Sequence, residues 1–244
     1  MFTFYEVGGK VRDELLGLQS KDIDYVAVPD ESFLQVEKNP TVMFYALEEF
    51  LSQGGYEIFL STVTCFTIRA KFPKDHQHAG TVADFVMARK EVGYVEGTRT
   101  PIVEPGSLYD DLIRRDFTIN AIAKASDGTL IDPFGGQKDL KSKILRTPLD
   151  PKITFNDDPL RLLRAIRFAI TKNLTIHSDI WNMIRNFDYK KLMPVVSEER
   201  IREELYKCFK HDTLRTLGIL CDHPKLAVYI FDETKLWLKP TNEQ

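Results

Sequence analysis

The chain has 244 residues, enough for one large domain or two small ones, and 43% hydrophobic with 28% charged residues is the balance of a soluble globular protein. A formal net charge of −3 excludes a bulk basic field, so nucleic-acid binding would have to come from a local patch. Cys65, Cys208 and Cys221 are too scattered for a disulfide framework or a zinc knuckle and point to a cytoplasmic setting, and no apolar run is long enough to span a membrane.

Met1–Val7 reads as a strand rather than a secretory leader. It runs into Gly8-Gly9, where the lack of Cβ atoms lets backbone N–H groups approach a phosphate closely. Arg12–Leu16 reads as the opening of a helix. Asp22 and Asp24 then flank Ile23 ahead of the apolar run Tyr25–Val28. In a strand, residues two apart share a face, so both carboxylates face one site, a donor pair suited to Mg²⁺. A glycine turn, a helix and an acidic strand in this order open a nucleotidyltransferase site.

Asn39–Ser52 has helical apolar spacing and ends at Gly54-Gly55. Residues 57–60 and 62–72 read as strands, and 73–80 as a solvated loop whose His76 and His78 lack a third metal ligand. Thr81–Arg89 is a further strand with Asp84 inside it, which is either an exposed-face acid or a third metal-facing carboxylate. Lys90–Tyr109, punctuated by Gly93, Gly97, Pro101, Pro105 and Gly106, reads as a long flexible loop with little regular structure. Leu108–Arg115 is helical, Asp127-Gly128 marks a hairpin, and residues 130–136 form a strand and a turn. Residues 137–151 read as a connector, which places a division at 150/151 between a head (1–150) and a helical neck (151–244).

In the second part, Asp157-Asp158-Pro159 reads as the cap of a helix. At 100° per residue, Leu162, Leu163, Ile166, Ala169 and Ile170 share one arc, while Arg161, Arg164 and Arg167 cover the other with Asp158 at its edge. This is either a solvated basic face or an acid–arginine pair presented to a ligand. Ser197 reads as the cap of a helix over 200–210, residues 213–222 and 225–231 read as short helices, and Leu236-Trp237-Leu238 as an anchor in a polar tail.

Five motifs in order carry a resemblance: Gly8-Gly9-Lys10-Val11-Arg12-Asp13, Asp22-Ile23-Asp24, Arg114-Arg115-Asp116-Phe117-Thr118-Ile119-Asn120-Ala121, Asp132-Pro133-Phe134-Gly135-Gly136, and the run from Asp157 to Ala169. Over residues 4–210 the chain resembles the class II tRNA nucleotidyltransferases (CCA-adding enzymes) and their sister bacterial poly(A) polymerases. The resemblance implies an α+β fold, with a polymerase-β-like head built on a mixed sheet followed by an α-helical neck. It implies transfer of CMP and AMP from CTP and ATP to the 3′ end of tRNA, with two Mg²⁺ ions as cofactors. The alternatives are an A-adding enzyme, a poly(A) polymerase or a non-catalytic RNA-binding module.

By position, the resemblance makes Asp22, Asp24 and Asp84 catalytic, with Asp22 and Asp24 on metal. It puts Gly8, Gly9 and Arg12 at the triphosphate, and Arg115, Asp116 and Asn120 at ribose and triphosphate. Asp158 and Arg161, with Arg164 and Arg167 beside them, read the base edge. The family's third carboxylate is usually Glu, and Asp84 is shorter. Arg89, Tyr94 and residues 97–101 match the family's flexible loop, which argues against a CC-only enzyme. The body and tail of typical members are not matched, so a homodimer or a partner subunit is the expected compensation.

Overall fold

The structure, a computed structural model, describes residues 1–20, 22–98, 100–192, 195–234 and 236. The chain forms two compact units, residues 1–96 with 100–140, and residues 97–99 with 141–244. The first contains β1 (Phe2–Val7), α1 (Gly9–Leu15), β2 (Ile23–Pro29), α2 (Glu31–Val36), α3 (Pro40–Gln53), β3 (Glu57–Thr62), β4 (Thr67–Lys71), β5 (Val82–Met87), β6 (Arg89–Tyr94), β7 (Pro101–Pro105), α4 (Leu108–Ile113), β8 (Ala123–Lys124), β9 (Leu130–Ile131) and α5 (Gly136–Ser142), whose last turn crosses into the second.

Local chemistry fixes the helix ends. The Asn39 side chain accepts hydrogen bonds from the N–H groups of Thr41 and Val42 at the start of α3, Pro40 takes the first helical position, and Gly54 closes the helix. Ser107 and Asp110 form a reciprocal capping box on α4.

Among the described residues the main sheet has seven strands in the order β3-β4-β5-β2-β1-β8-β9. It is mixed: β2 and β5 are parallel, and β1–β2 and β4–β5 antiparallel. One face carries Phe85, Ile68 and Ala27 against Met43, Phe44, Leu47 and Leu51 of α3. Tyr25 stacks on Phe85 there, with ring centroids 5.3 Å apart. The other face packs Val7, Val26 and Ala123 with Leu112 of α4. Alternation along β2 therefore assigns Tyr25 to one side and Asp24 to the other.

Three expectations change. Residues 62–72 are not one strand, because β3 and β4 are joined by a 3₁₀ turn at Val63–Cys65 and by Phe66 with φ 53°. That left-handed position is held by a phenylalanine, so no glycine marks the turn. The Lys90–Tyr109 stretch, expected as a loop, instead holds β6 and β7, which pair as a hairpin. The residues that suggested irregularity have places in it: Gly93 borders the shift in register, Pro101 and Pro105 terminate β7, and Gly97 has φ 72°. The connector at 137–151 is largely α5 and a short strand.

The second unit contains β10 (Ile144–Leu145), α6 (Pro151–Asp157), α7 (Leu160–Thr171), β11 (Thr175–Ile176), α8 (Ser178–Asn186), α9 (Tyr189–Leu192), α10 (Glu198–His211), α11 (Thr213–Asp222), α12 (Pro224–Val228) and a π-helical turn at Tyr229–Glu233. β10 and β11 pair in parallel. Two Asp-Pro pairs each start a helix. Asp150 accepts from Lys152 N–H ahead of α6, and Asp158 accepts from Leu160 N–H ahead of α7. Helix therefore begins at Pro151, earlier than expected. The predicted apolar arc of α7 is buried, with α10 packed on α7. Leu236 is buried, while Trp237 and Leu238 lie outside the described residues. Among the described residues no helix is long and apolar enough to cross a membrane.

Candidate active site

β1 ends at Val7, and Gly8 turns the chain into α1 with φ 71° and ψ −133°, a conformation that favours glycine. A Cβ on Gly8 would lie 3.1 Å from Arg115 Nη1 and 3.3 Å from Asp24 Oδ2. A glycine, a carboxylate and a guanidinium, 107 residues apart at the extremes, thus meet at one point of the first unit. Gly9 is less confined, since its Cβ would meet only Arg12 Nη2, at 3.6 Å, and Arg12 Nη1, at 4.0 Å.

The acidic residues follow from sheet register. Asp24 on β2 is the partner of Asp84 on β5, and Asp84 that of Arg69 on β4. Aligned residues on neighbouring strands share a face, so Arg69, Asp84 and Asp24 form one row. Arg69 grips Asp84 with a two-pronged fork, Nε to Oδ1 at 2.7 Å and Nη2 to Oδ2 at 2.8 Å. Asp22, just before β2, is exposed. Burial pushes the Asp24 carboxyl above the usual carboxylate range, Arg115 opposes this, and the charges of Asp84 and Asp22 add to it. Repulsion among oxygen donors is what a hard divalent cation relieves, so Asp22 and Asp24 fit Mg²⁺. Among the described residues no three His, Cys, Asp or Glu side chains gather into a metal cluster, and Asp84 stands beside Asp24 with its oxygens engaged by Arg69.

The Arg-Arg-Asp motif is anchored by hydrogen bonds to α1 and α4. Arg12 is buried and donates from Nε to Asp13 at 2.8 Å and from Nη1 to the Asn120 side-chain oxygen at 2.7 Å. The Asn120 amide nitrogen donates to Asp116 Oδ1 at 2.9 Å, which also accepts from Phe117 N–H. Arg12, Asp116 and Asn120 are therefore a single buried network that joins α1 to the motif. Arg115 donates from Nη2 to Asp111 Oδ2 at 2.9 Å and from Nη1 to the Asn120 carbonyl at 3.4 Å. Arg114 bonds Asp111 Oδ1 and Glu91 Oε1, and Glu91 also accepts from Arg89 and Tyr94.

The Asp-Pro-Phe-Gly-Gly motif is a buttress. Asp132 accepts from the N–H groups of Gly136 and Gln137 at the start of α5. Gly136 packs so closely on the Thr118–Asn120 turn that a Cβ would lie 2.2 Å from the Thr118 carbonyl oxygen. Asp139 of α5 accepts from the Thr118 hydroxyl at 2.7 Å.

In the second unit, Arg161 is half-buried and donates to the Thr154 carbonyl at 3.4 Å. Asp158 starts the same helix, and the Arg164 guanidinium lies 5.6 Å from the centre of the Phe168 ring. The basic arc expected on α7 is not open throughout. Arg167 is tied to Glu204 of α10 and stacks on Phe168 at 4.2 Å. Glu204 is 5% exposed, which makes Arg167 half of a buried ion pair between helices.

A family model described as the poly A polymerase head domain matches residues 4–146. The chain belongs to this family. The CCA-adding enzyme of Coxiella burnetii is 34% identical over 238 residues, spanning 95% of this chain and 55% of that protein. The A-adding tRNA nucleotidyltransferase of Aquifex aeolicus is 35% identical over 221 residues, spanning 88% of this chain and 24% of that protein. A crystal structure of a tRNA nucleotidyltransferase complexed with a primer tRNA and an incoming ATP analog matches with a TM-score of 0.70 at 30% identity, over 95% of this chain and 60% of that one. The chain spans about half the length of the CCA-adding relatives it matches. The fold is the family's polymerase-β-like head with a mixed sheet, followed by helices.

Against this family pattern, sequence reasoning missed Asp111, Glu91, Arg69 and Glu204. Asp111 had a signal, because it stands three and four residues before Arg114 and Arg115, helical spacing for a shared partner. Glu204 had one too, an acid on the stripe of Ile201, Leu205 and Cys208. Arg69 depends on strand register and Glu91 on the packing of β6 against α4, and neither had one.

Proposed function

We propose that the chain is a template-independent nucleotidyltransferase that adds C and A residues to the 3′ end of tRNA, using CTP and ATP and releasing pyrophosphate. The observation that carries this reading is the meeting of Gly8, Asp24 and Arg115 around one position. The names of the relatives from Coxiella and Aquifex support the choice of substrate.

In the reaction, the RNA 3′-hydroxyl releases its proton to solvent, its oxygen bonds to the α-phosphorus, the bond from that phosphorus to the β-bridging oxygen breaks, and pyrophosphate leaves. The Gly8-Gly9 turn admits the triphosphate, and Arg115 offers Nη1 to it. The Arg12–Asn120–Asp116 network holds the wall beside the ribose rigid. Two Mg²⁺ ions held through Asp22 and Asp24 would neutralise the phosphates and lower the pKa of the attacking hydroxyl. Asp84, held by Arg69 beside Asp24, would support the metal ion that activates that hydroxyl. Asp158 accepts from an exocyclic amine and Arg161 donates to a ring nitrogen or carbonyl, so cytosine and adenine are read and uracil is refused. Arg167, being paired with Glu204, shapes the helix rather than the base edge.

The Aquifex relative favours a second reading, addition of A alone. A gel extension assay separates the two. Protein with Mg²⁺ meets tRNA transcripts ending before CCA, after C and after CC, with CTP, ATP, UTP or mixtures, and Asp22→Ala/Asp24→Ala serves as control. Stopping after CCA supports the first reading. Extension of only the CC-ended tRNA supports the second, and long A tails on unrelated RNA a poly(A) polymerase. Arg161→Ala should admit UTP. Wild-type protein that binds nucleotide yet extends nothing would point to a missing partner subunit or a non-catalytic role.

A further inference from the structure

Asp111 has a place in the first unit that the proposed reaction leaves unused. It is fully buried, at 0% exposure, beneath both arginines of the motif. Its element is rigid: the Ser107–Asp110 capping box fixes the start of α4, and the neighbouring Leu112 is embedded in the core cluster of Val7, Val26 and Ala121. Oδ1 holds Arg114. Oδ2 holds the Nε–Nη2 edge of Arg115, at 3.3 Å and 2.9 Å.

The charges divide unevenly. Arg114 is shared between Asp111 and Glu91, so two carboxylates answer its one charge. Arg115 has one edge on Asp111, while its Nη1 corner, which also donates to the Asn120 carbonyl at a long 3.4 Å, projects towards Gly8 and Asp24. A guanidinium is planar, so fixing one edge fixes the direction of the remaining corner. Burial raises the carboxyl's affinity for a proton, yet the two guanidiniums outweigh it and hold Asp111 below the usual carboxylate range, ionised at neutral pH.

We propose that Asp111 is the positioning residue of the nucleotide site, holding the Nε–Nη2 edge of Arg115 so that its Nη1 corner meets the triphosphate at the Gly8 turn. Asp111 touches no substrate and acts through Arg115. The inference rests on the proposed nucleotide site.

The test is equilibrium binding to the full chain, with ATP and inorganic tripolyphosphate as probes and Mg²⁺ in every sample. Wild type, Asp111→Asn, Arg115→Ala and the double variant are compared, with thermal unfolding followed in parallel. Asp111→Asn should weaken both probes by about ten- to a hundredfold, the scale of one charge-assisted hydrogen bond. Adding Asp111→Asn to Arg115→Ala should cost nothing more. Losses that multiply in the double variant would overturn the proposal, because Asp111 would then act through another group. A loss for ATP but not for tripolyphosphate would overturn it as well, since the effect would lie away from the phosphates.

Arg115→Lys keeps the charge and removes the planar edge, so it should lose affinity as Asp111→Asn does. It decides the matter if Asp111→Asn fails to fold, and full affinity in Arg115→Lys would refute the proposal. A wild-type chain that binds neither probe would bring down the nucleotide-site reading itself. Wild type that binds, Arg115→Ala that does not, and Asp111→Asn that still does would bring down this inference alone.

Discussion

Replacing Gly8 by alanine adds one methyl group at the point where three functional groups meet. The backbone there, φ 71° and ψ −133°, lies in a region that L side chains rarely adopt, and holding a residue in such a region costs about 1–3 kcal/mol. The new Cβ would sit 3.1 Å from Arg115 Nη1 and 3.3 Å from Asp24 Oδ2, so one of them must yield by a few tenths of an ångström. For a chain of this length, each kcal/mol corresponds to about 2–4 °C in Tm. Gly8→Ala should therefore lower the unfolding temperature by about 2–12 °C. By displacing Arg115 it should also weaken ATP binding by about tenfold. Gly9→Ala is the internal control, with the same methyl but no positive φ and only van der Waals distances to Arg12. Differential scanning calorimetry and ATP titration of both variants give the comparison. If Gly8→Ala melted with wild type, or Gly9→Ala lost as much stability, the geometry assigned to the turn would be wrong.

Other expectations follow from the same contacts. Arg167→Ala leaves Glu204 buried without its partner and should cost about 3–5 kcal/mol in urea unfolding, whereas Arg167→Met with Glu204→Leu should recover most of that loss. An unchanged urea midpoint in Arg167→Ala would mean that the pair is solvated. Gly136→Ala drives a methyl group into the Thr118 carbonyl and should cost about 1–3 kcal/mol, with a raised KM for ATP because the Thr118–Asn120 turn shifts; a Tm within error of wild type would contradict the close approach. Asp111 titrates below its unfolded value, so the stability it contributes is complete above the ordinary carboxylate pKa and is lost as pH falls through its lower folded value. Asp111→Asn should be less stable than wild type at pH 7 and should show a shallower decline below pH of about 4. Parallel acid limbs in the two proteins would show that Asp111 is not the group being protonated.

Much of this was legible in the sequence wherever one periodicity or one local cap decided the outcome. The apolar arc of α7 and the caps of α3 are local facts, and the structure keeps both. The glycine turn and the strand carrying Asp24 were readable because glycine and alternation each have a single structural meaning there. The hairpin β6–β7 was not, because its glycines and prolines serve a register shift, a turn and strand ends rather than a loop. The bend at Phe66 was hidden by a side chain that rarely adopts a positive φ. Arg167 looked like part of an open basic face because its partner comes from α10, 37 residues away. Asp111 carries the helical spacing to Arg114 and Arg115, but its full burial beneath them depends on tertiary packing that the spacing does not show.

The row Arg69–Asp84–Asp24 exists because β5 lies between β4 and β2 in one register, and this limits how the gene can change length. Shifting a strand by one residue turns every side chain to the opposite face. Deleting one codon inside β5 would send Asp84 into the cluster of Tyr25, Phe72 and Phe85 and bring an aromatic ring to the acidic face. A codon lost from residues 74–79, in the loop between β4 and β5, leaves that parity intact. Insertions and deletions among homologues should therefore collect in that loop and at the tip of the β6–β7 hairpin, while β5 keeps a constant number of residues on either side of Asp84.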